Sequence, residues 1–447
     1  MPTATSKIVG ALACQTNSFL KTLQTTVVSC KDHTPQLSSK DKQNKNKKKT
    51  DEVKTSSIPE FEIELEDTNL FPEGGGQPYD TGSIYLPDKH EIKVLRVIRN
   101  QLTALHIANE PIEPGTLVKL EVDWERRIDF MQQHTGQHLL SSVFDTHGLD
   151  TLSWSMGDMI NYIELPKKVD EEVVEKVNAK VNDLILQNIQ ISVTTPDNHG
   201  GELDLSRIPD DYDTSKGIVR VVKIGDIDAN PCCGTHLSST GQIQAISLLH
   251  QQNVRGGNSR LFFLCGSRVY KYLNKQHSIL KEIQGTYLSC QLDEVVDKVG
   301  LLNLNYKQST SRESNLLKEL ANIEANKIFE DFKKGSKDIA YVYRFDNNPE
   351  YLLVFQKEFT TLMNSNKESG VNLTDKFTLV LLNGDYKSGL GGMIKVLGPK
   401  AESLQPEIKN RITNLKGGGK GTSFQGKIPK YEKGELESLL AFLQELN

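Results

Sequence analysis

Two short motifs, far apart in the chain, constrain its fold more than any other feature. The first is His134-Thr135-Gly136-Gln137-His138. On a helix, histidines at i and i+4 lie on one face a turn apart, so their imidazoles can converge on one metal ion. The second is Cys232-Cys233-Gly234-Thr235-His236, a thiol and an imidazole in a tight turn just after a strand, where both can reach a tetrahedral ion. Each is weak alone. Histidines four apart on a helix usually carry no function, and the second motif by itself reads as a buried cysteine pair beside a surface histidine. Together they form a zinc set of His134, His138, Cys232 and His236. The fold must therefore bring one helix against one strand-to-turn corner.

The pattern along the chain is compatible with this. Thr25 to Cys30 reads as a strand. Ser38 to Lys54 carries seven lysines among Asn, Gln and Ser; it cannot bury a core and is expected to be a disordered, solvated insertion. Alternation resumes at Phe61, Ile63 and Leu65, with further strands at Ile92–Ile98 and Leu117–Val122, so residues 1–122 are predicted to form a β-rich, barrel-like domain. Asp123 is an N-cap for a helix running from Trp124 to Gly148. Asp170–Asn188 is a second helix, and strands are expected at Ile189–Thr195, Ile218–Ile224, Gln242–Leu249 and Arg260–Cys265. Residues 123–269 therefore read as an α+β domain with a mainly antiparallel sheet. Residues 270–336 are helical and charged, predicted as a two-helix hairpin. From 337 to 447, strands alternate with helices in a separate α/β domain. The fold class is α+β.

No stretch has the length and apolarity of a membrane span, and no secretory signal is legible. Six scattered cysteines are not a disulfide framework and fit a reducing, cytoplasmic compartment. The formal net charge of -5 counts mildly against a nucleic-acid partner, but the lysines cluster locally.

Taken with Phe71-Pro72-Glu73-Gly74-Gly75-Gly76-Gln77, the two ligand motifs resemble, in order, elements of the editing domain of alanyl-tRNA synthetases. In that family the glycine-rich segment lies at the editing pocket. The chain starts directly at the β-rich editing region with no aminoacylation domain before it, which is similar to the free-standing editing proteins called AlaX. Asp123 to Arg127, Ser153-Trp154 and Asp228-Ala229-Asn230-Pro231 extend the likeness. Gly417 to Gly421 and Phe424-Gln425-Gly426-Lys427 resemble the C-terminal domain of the long, eukaryotic cytoplasmic form. The resemblance covers nearly the whole chain except the first few residues and the lysine-rich insertion. There are two departures. Where the synthetases have Gly-Gly after the metal cysteine, the first position here is Cys233; the family register makes Cys232 the ligand, and Cys233 replaces it only if the turn shifts. Ser155 stands where many relatives carry Gln or Glu, which puts a grip on the tRNA end by that side chain in doubt.

The resemblance implies an ATP-independent deacylase with one Zn2+ per chain, hydrolysing serine, and also glycine, wrongly attached to alanine tRNA. A pocket sized for alanine admits glycine and excludes serine poorly, so a second, hydrolytic site is the physical remedy. The catalytic group would be His134, His138 and His236, with Thr135 and Gln137 as candidates to read the serine hydroxyl. Whether His236 is a fourth ligand or holds the water stays open. Gly136 is costly in a helix and suggests a close approach by backbone or substrate. The amides of Gly74, Gly75, Gly76 and Gln77 are expected to cradle the tRNA end or simply to form a tight turn. Arg126 and Arg127 are expected at phosphates or in solvent. Lys420 and Lys427, within a flexible glycine-lysine loop, are expected to contact tRNA. Serine on threonine tRNA, and a non-catalytic tRNA-binding protein with structural zinc, are the competing readings. Neither a membrane nor an obligate protein partner is expected.

Overall fold

The computed structural model describes residues 5–33, 59–194, 220–345, 349–365, 376–385 and 391–446. The lysine-rich stretch 38–54 and the start of the strand expected at Ile218 lie outside these residues. The chain divides into two compact units, Met1–Lys281 and Glu282–Asn447.

The first unit opens with a closed antiparallel barrel. Its strands are β1 (Thr22–Asp32), β2 (Phe61–Leu65), β3 (Gly82–Tyr85), β4 (Glu91–Asn100), β5 (Thr103–Ala108) and β6 (Leu117–Val122), in the order β1-β2-β5-β4-β3-β6. β6 shows why it closes. Val118, Leu120 and Val122 point inward while Leu117, Lys119 and Glu121 face out, so one face joins a core with Ile63, Phe71 and Ile84. Asp123 then ends the strand and caps α1 (Trp124–Asp145), its side chain accepting from the Arg126 amide at 3.2 Å. The helix thus starts where the barrel closes, which fixes the first ligands relative to the barrel.

α1 is buried on all sides from Phe130 to Phe144. Around it stand β7 (Ser153–Ser155), β8 (Asn161–Leu165), α2 (Glu171–Leu186), β9 (Ile191–Thr194), β10 (Val221–Ile224), β11 (Asp228–Pro231), β12 (Ile246–Asn253) and β13 (Ser259–Cys265). They form two antiparallel sheets, β12-β13-β8-β7 and β11-β10-β9. α2, the second helix expected from the sequence, presents Val174, Val177, Val181, Leu184 and Ile185 to this core at helical spacing, with Val173 packed against it. A 3-10 turn, Thr240–Ile243, occupies the start of the strand expected at Gln242. α3 (Ser267–Glu282) ends the unit.

The second unit holds α4 (Val295–Lys333), β14 (Ile339–Arg344), α5 (Glu350–Ser365), β15 (Thr378–Asn383), β16 (Gly392–Leu397), α6 (Ala401–Arg411), β17 (Lys416–Lys420), β18 (Ser423–Ile428) and α7 (Glu435–Leu446). The sheet order is β14-β15-β16-β18-β17, with β14 and β15 parallel and the other pairs antiparallel. Alternation along β15 feeds two cores. Leu379 and Leu381 meet α4 and α5, and Val380 and Leu382 meet α6 and α7. Two expectations change here. Ala321, Ala325, Phe329 and Phe332 of α4 pack with Phe355 and Phe359 of α5, so the end of the segment predicted as a two-helix hairpin belongs to the C-terminal core. The glycine-lysine segment read as a flexible loop is the β17–β18 hairpin, with Lys416 opposite Lys427 and Gly418 opposite Gln425. Among the described residues no helix is long and apolar enough to cross a membrane.

Candidate metal centre and its surroundings

His134 and His138 sit one turn apart in the buried middle of α1, and the turn after β11 carries Cys232 and His236 to them. One ligand atom from each of these four residues lies within 4.8 Å of the others. The Cys232 Sγ is 3.4 Å from His134 Nε2 and 3.2 Å from His236 Nε2. Two glycines make the approach possible. A Cβ on Gly234 would overlap the His134 ring and stand 2.8 Å from Gln77 Oε1. A Cβ on Gly136 would collide with the Cys265 sulfur and lie 3.2 Å from its Cβ. The close approach expected at Gly136 is therefore β13 packing on the helix, away from the cluster. The turn itself is held by Arg220, whose Nη1 donates to the carbonyls of Cys233 at 2.9 Å and Gly234 at 3.1 Å, and by Gln15, which donates to the Cys233 carbonyl at 2.9 Å.

Each imidazole has its second nitrogen occupied outside the cluster. His134 Nδ1 is 2.9 Å from Gln77 Oε1, His138 Nδ1 is 3.2 Å from Asp228 Oδ2, and His236 Nδ1 is 3.3 Å from Thr135 Oγ1. Such partners fix ring orientation and tautomer and leave the other nitrogen for a metal. Charge is arranged to match. Burial alone would raise the Cys232 thiol, but the three imidazoles outweigh it and hold that thiol well below its ordinary value. Burial opposes charge on His138, yet Cys232 and Asp228 raise it to about 10. For His236 burial wins, and its pKa falls to about 3. A low-pKa sulfur facing three convergent imidazole nitrogens is the donor set that a tetrahedral, borderline-soft ion takes, so the residues fit a metal. Cys233 is different. Burial pushes its thiol up to about 12, and its sulfur lies against the glycine turn, 3.0 Å from where a Gly75 Cβ would be.

The remaining expected residues separate. Gln77 is 2% exposed, and its amide is committed: Oε1 accepts the Thr235 N–H at 3.0 Å as well as facing His134, and Nε2 donates to Thr235 Oγ1 at 2.8 Å. The side chain therefore supports His134, and the main-chain N–H donates to the Gly74 carbonyl at 3.1 Å. Gly75 and Gly76 have φ of +59° and +82°, and a Gly76 Cβ would come within 2.6 Å of the Trp154 ring, so the tight-turn reading holds there. Thr135 lies beside the cluster, with its hydroxyl accepting from the Leu237 amide at 3.1 Å. Gln137 does not join the cluster: its Nε2 donates to Ser141 Oγ at 2.9 Å along the helix. The phosphate role expected of Arg127 fails. It is fully buried, paired with Asp80, and donates to the Ser18 carbonyl at 2.9 Å and the Asn69 carbonyl at 2.6 Å. Arg126 remains at the surface of the same helix. Lys420 and Lys427 lie on the exposed hairpin of the other unit.

Sequence reasoning missed Asp228 as the partner of His138 and Trp154, whose ring centre is 4.9 Å from that of His134. Both lie inside stretches quoted for the resemblance; no spacing rule marks either.

Several known proteins are similar in sequence to this chain. The model of the threonyl and alanyl tRNA synthetase second additional domain matches residues 219–262, which include Cys232 and His236. The Saccharomyces cerevisiae alaX protein is 37% identical, over 99% of this chain and 98% of its own. The mouse alanyl-tRNA editing protein Aarsd1 is 33% identical over 96% and 97%. An alanine–tRNA ligase from Pyrococcus furiosus is 27% identical over 86% of this chain and 41% of its own.

Proposed function

The chain belongs to the family of alanyl-tRNA editing proteins and is an aminoacyl-tRNA deacylase, and on that premise we propose that it removes serine, and also glycine, from alanine tRNA. The observation that carries the reading is the convergence of His134, His138, Cys232 and His236. Zinc held by these four would supply Lewis-acid polarisation of the ester carbonyl and a water acidified toward neutral pH. The protein's own contribution is positional. Gln77, Asp228 and Thr135 hold the three rings so that their inner nitrogens face one point. Trp154, against His134 and Gly76, forms an apolar wall on one side of the His134 ring. With the Thr135 hydroxyl already engaged by Leu237 and His236, we assign it to supporting His236.

A structural metal is the second reading, because four protein ligands leave no open position in a tetrahedral site. One assay separates the two: deacylation of seryl- and glycyl-alanine tRNA, with seryl-threonine tRNA alongside. We expect release of serine from alanine tRNA, abolished by His134→Ala or Cys232→Ala. Tight binding of seryl-alanine tRNA by fully metal-loaded protein, without hydrolysis, would establish the structural reading instead. Faster release from threonine tRNA would reassign the substrate. We assign a further tRNA contact to Lys420 and Lys427 on the glycine-lysine hairpin Lys416–Ile428.

A further inference from the structure

The first unit contains a cavity of about 410 Å³, with Pro78, Arg126, Phe130, Met156 and Lys271 in its wall. Its place follows from the chain. Phe130 is one turn before His134 on α1, and Arg126 one turn before that, which puts Arg126 roughly 12 Å from His134 along the axis at 1.5 Å per residue. Pro78 follows Gln77, the partner of His134, and Met156 is two residues past Trp154. The cavity wall is therefore built from residues that lie next in the chain to the cluster and its supports.

Arg126 is set up for a ligand. Its Nε donates to the Tyr79 carbonyl at 3.0 Å, and its guanidinium lies 4.5 Å from the centre of the Phe130 ring and 5.3 Å from that of Tyr79. Among the described residues the two terminal nitrogens have no hydrogen-bond or ion-pair partner. The carboxylates around the cavity are largely committed elsewhere. Asp129 is taken by Arg268, which is itself buried and donates to it at 2.7 to 3.1 Å. Asp123 caps α1, Glu125 meets Lys271 at 3.4 Å, and Asp158 is exposed. What lines the space is a preorganised guanidinium with its terminal nitrogens open, the Lys271–Glu125 pair, the exposed Asp158 carboxylate, and an apolar wall of Phe130, Met156 and Pro78. A phosphate monoanion suits the fork, and a nucleoside suits the apolar wall.

We propose that this cavity holds the terminal nucleoside of the tRNA, with its 5′ phosphate on Arg126, so that the ester on its ribose reaches the metal cluster. The inference rests on the deacylase reading above. It makes Arg126 a positioning residue: it fixes where the ester lies and takes no part in bond breaking.

The test uses the full chain and adenosine 5′-monophosphate as probe. We expect the nucleotide to bind wild type, measured calorimetrically, and to compete with seryl-tRNA, whereas inorganic phosphate and adenosine each do so more weakly. Arg126→Ala and Arg126→Gln should weaken nucleotide binding and raise KM for seryl-tRNA by roughly ten-fold or more, the loss expected for a charged hydrogen-bonded contact. Metal content and the single-turnover rate at saturating tRNA should stay within a few-fold of wild type. Arg126→Lys should recover part of the affinity. His138→Ala should abolish turnover and leave nucleotide binding intact, so failure of the deacylase reading and failure of this site give different results. Nucleotide binding untouched by both Arg126 variants, or abolished by His138→Ala, would overturn the assignment.

Discussion

Replacing Gln77 by Ala tests whether the metal site depends on residues outside its four ligands. The side chain is buried and accepts from two directions, the Thr235 N–H at 3.0 Å and His134 Nδ1 at 2.9 Å. Truncation leaves both donors without an acceptor. At about 1 to 3 kcal/mol for each orphaned buried donor, the metal-free protein should lose roughly 2 to 6 kcal/mol. Metal affinity should fall separately, because His134 is no longer held with its inner nitrogen toward the cluster. Loss of an outer partner costs about ten- to a hundred-fold in affinity, or about 1.4 to 2.7 kcal/mol. Competition against a chromogenic chelator reads the second quantity, and thermal unfolding with excess chelator reads the first. Gln77→Glu separates support from shape. Its carboxylate can accept both N–H groups, and the Thr235 hydroxyl can turn to donate, so metal affinity should return to within a few-fold of wild type. If Gln77→Ala folds and binds metal as tightly as wild type, the outer contact is incidental and the argument for an ordered ligand set fails.

Other outcomes follow from the same geometry. Gly136→Ala should destabilise the protein by about 1 to 3 kcal/mol through overlap with Cys265, despite alanine's better helix propensity, and Cys265→Ala should relieve most of the loss in thermal melts. His106 is fully buried in the barrel, with its Nδ1 3.1 Å from the Ile63 carbonyl and its Nε2 2.8 Å from the Thr68 hydroxyl, and burial lowers its pKa to about 4. The unfolded chain takes up this proton first as pH falls, so the contribution of the neutral His106 should decline from about pH 6.5 and be gone near pH 4. That amounts to about 3 kcal/mol at 1.36 kcal/mol per pH unit, and it should be absent from His106→Gln when both are unfolded in chelator. The fragment 1–281, cut at the boundary between the two units, should keep the single-turnover rate at saturating seryl-tRNA while raising KM and flattening its salt dependence. A folded, metal-loaded fragment with no saturated rate would require the C-terminal unit in the active site.

The parts of the fold visible in the sequence are those whose signal is local. β6 shows strict alternation, Asp123 is a cap beside the helix it starts, and α2 has an apolar stripe at helical spacing. β3 and β5 gave no comparable signal. One is four residues long and begins with glycine, and the other spends an inward position on His106. The β17–β18 hairpin was misread for a physical reason. Three consecutive glycines carry no strand propensity, and what makes Lys416–Lys420 a strand is pairing with β18, itself paired to β16. The boundary near 337 was misplaced because the apolar face of α4 cannot be assigned a partner before the sheet is known. Arg127 read as a surface charge because its counterion, Asp80, is distant in sequence.

The same division runs through the metal centre. His134 with His138 and Cys232 with His236 are each four residues apart, and that spacing is the geometry of a helix face and of a tight turn, so the four members of the cluster could be read directly. Their supports could not. Gln77 is 57 positions from His134, Asp228 is 90 from His138, and Thr135 is 101 from His236. Those contacts exist only once the barrel, α1 and the β11 turn have assembled. Such long-range supports lock ring orientation only in the folded chain, so a metal bound by this set should stabilise the native state over the unfolded one. Unfolding and metal release should then be coupled in one transition whose midpoint rises with free metal concentration.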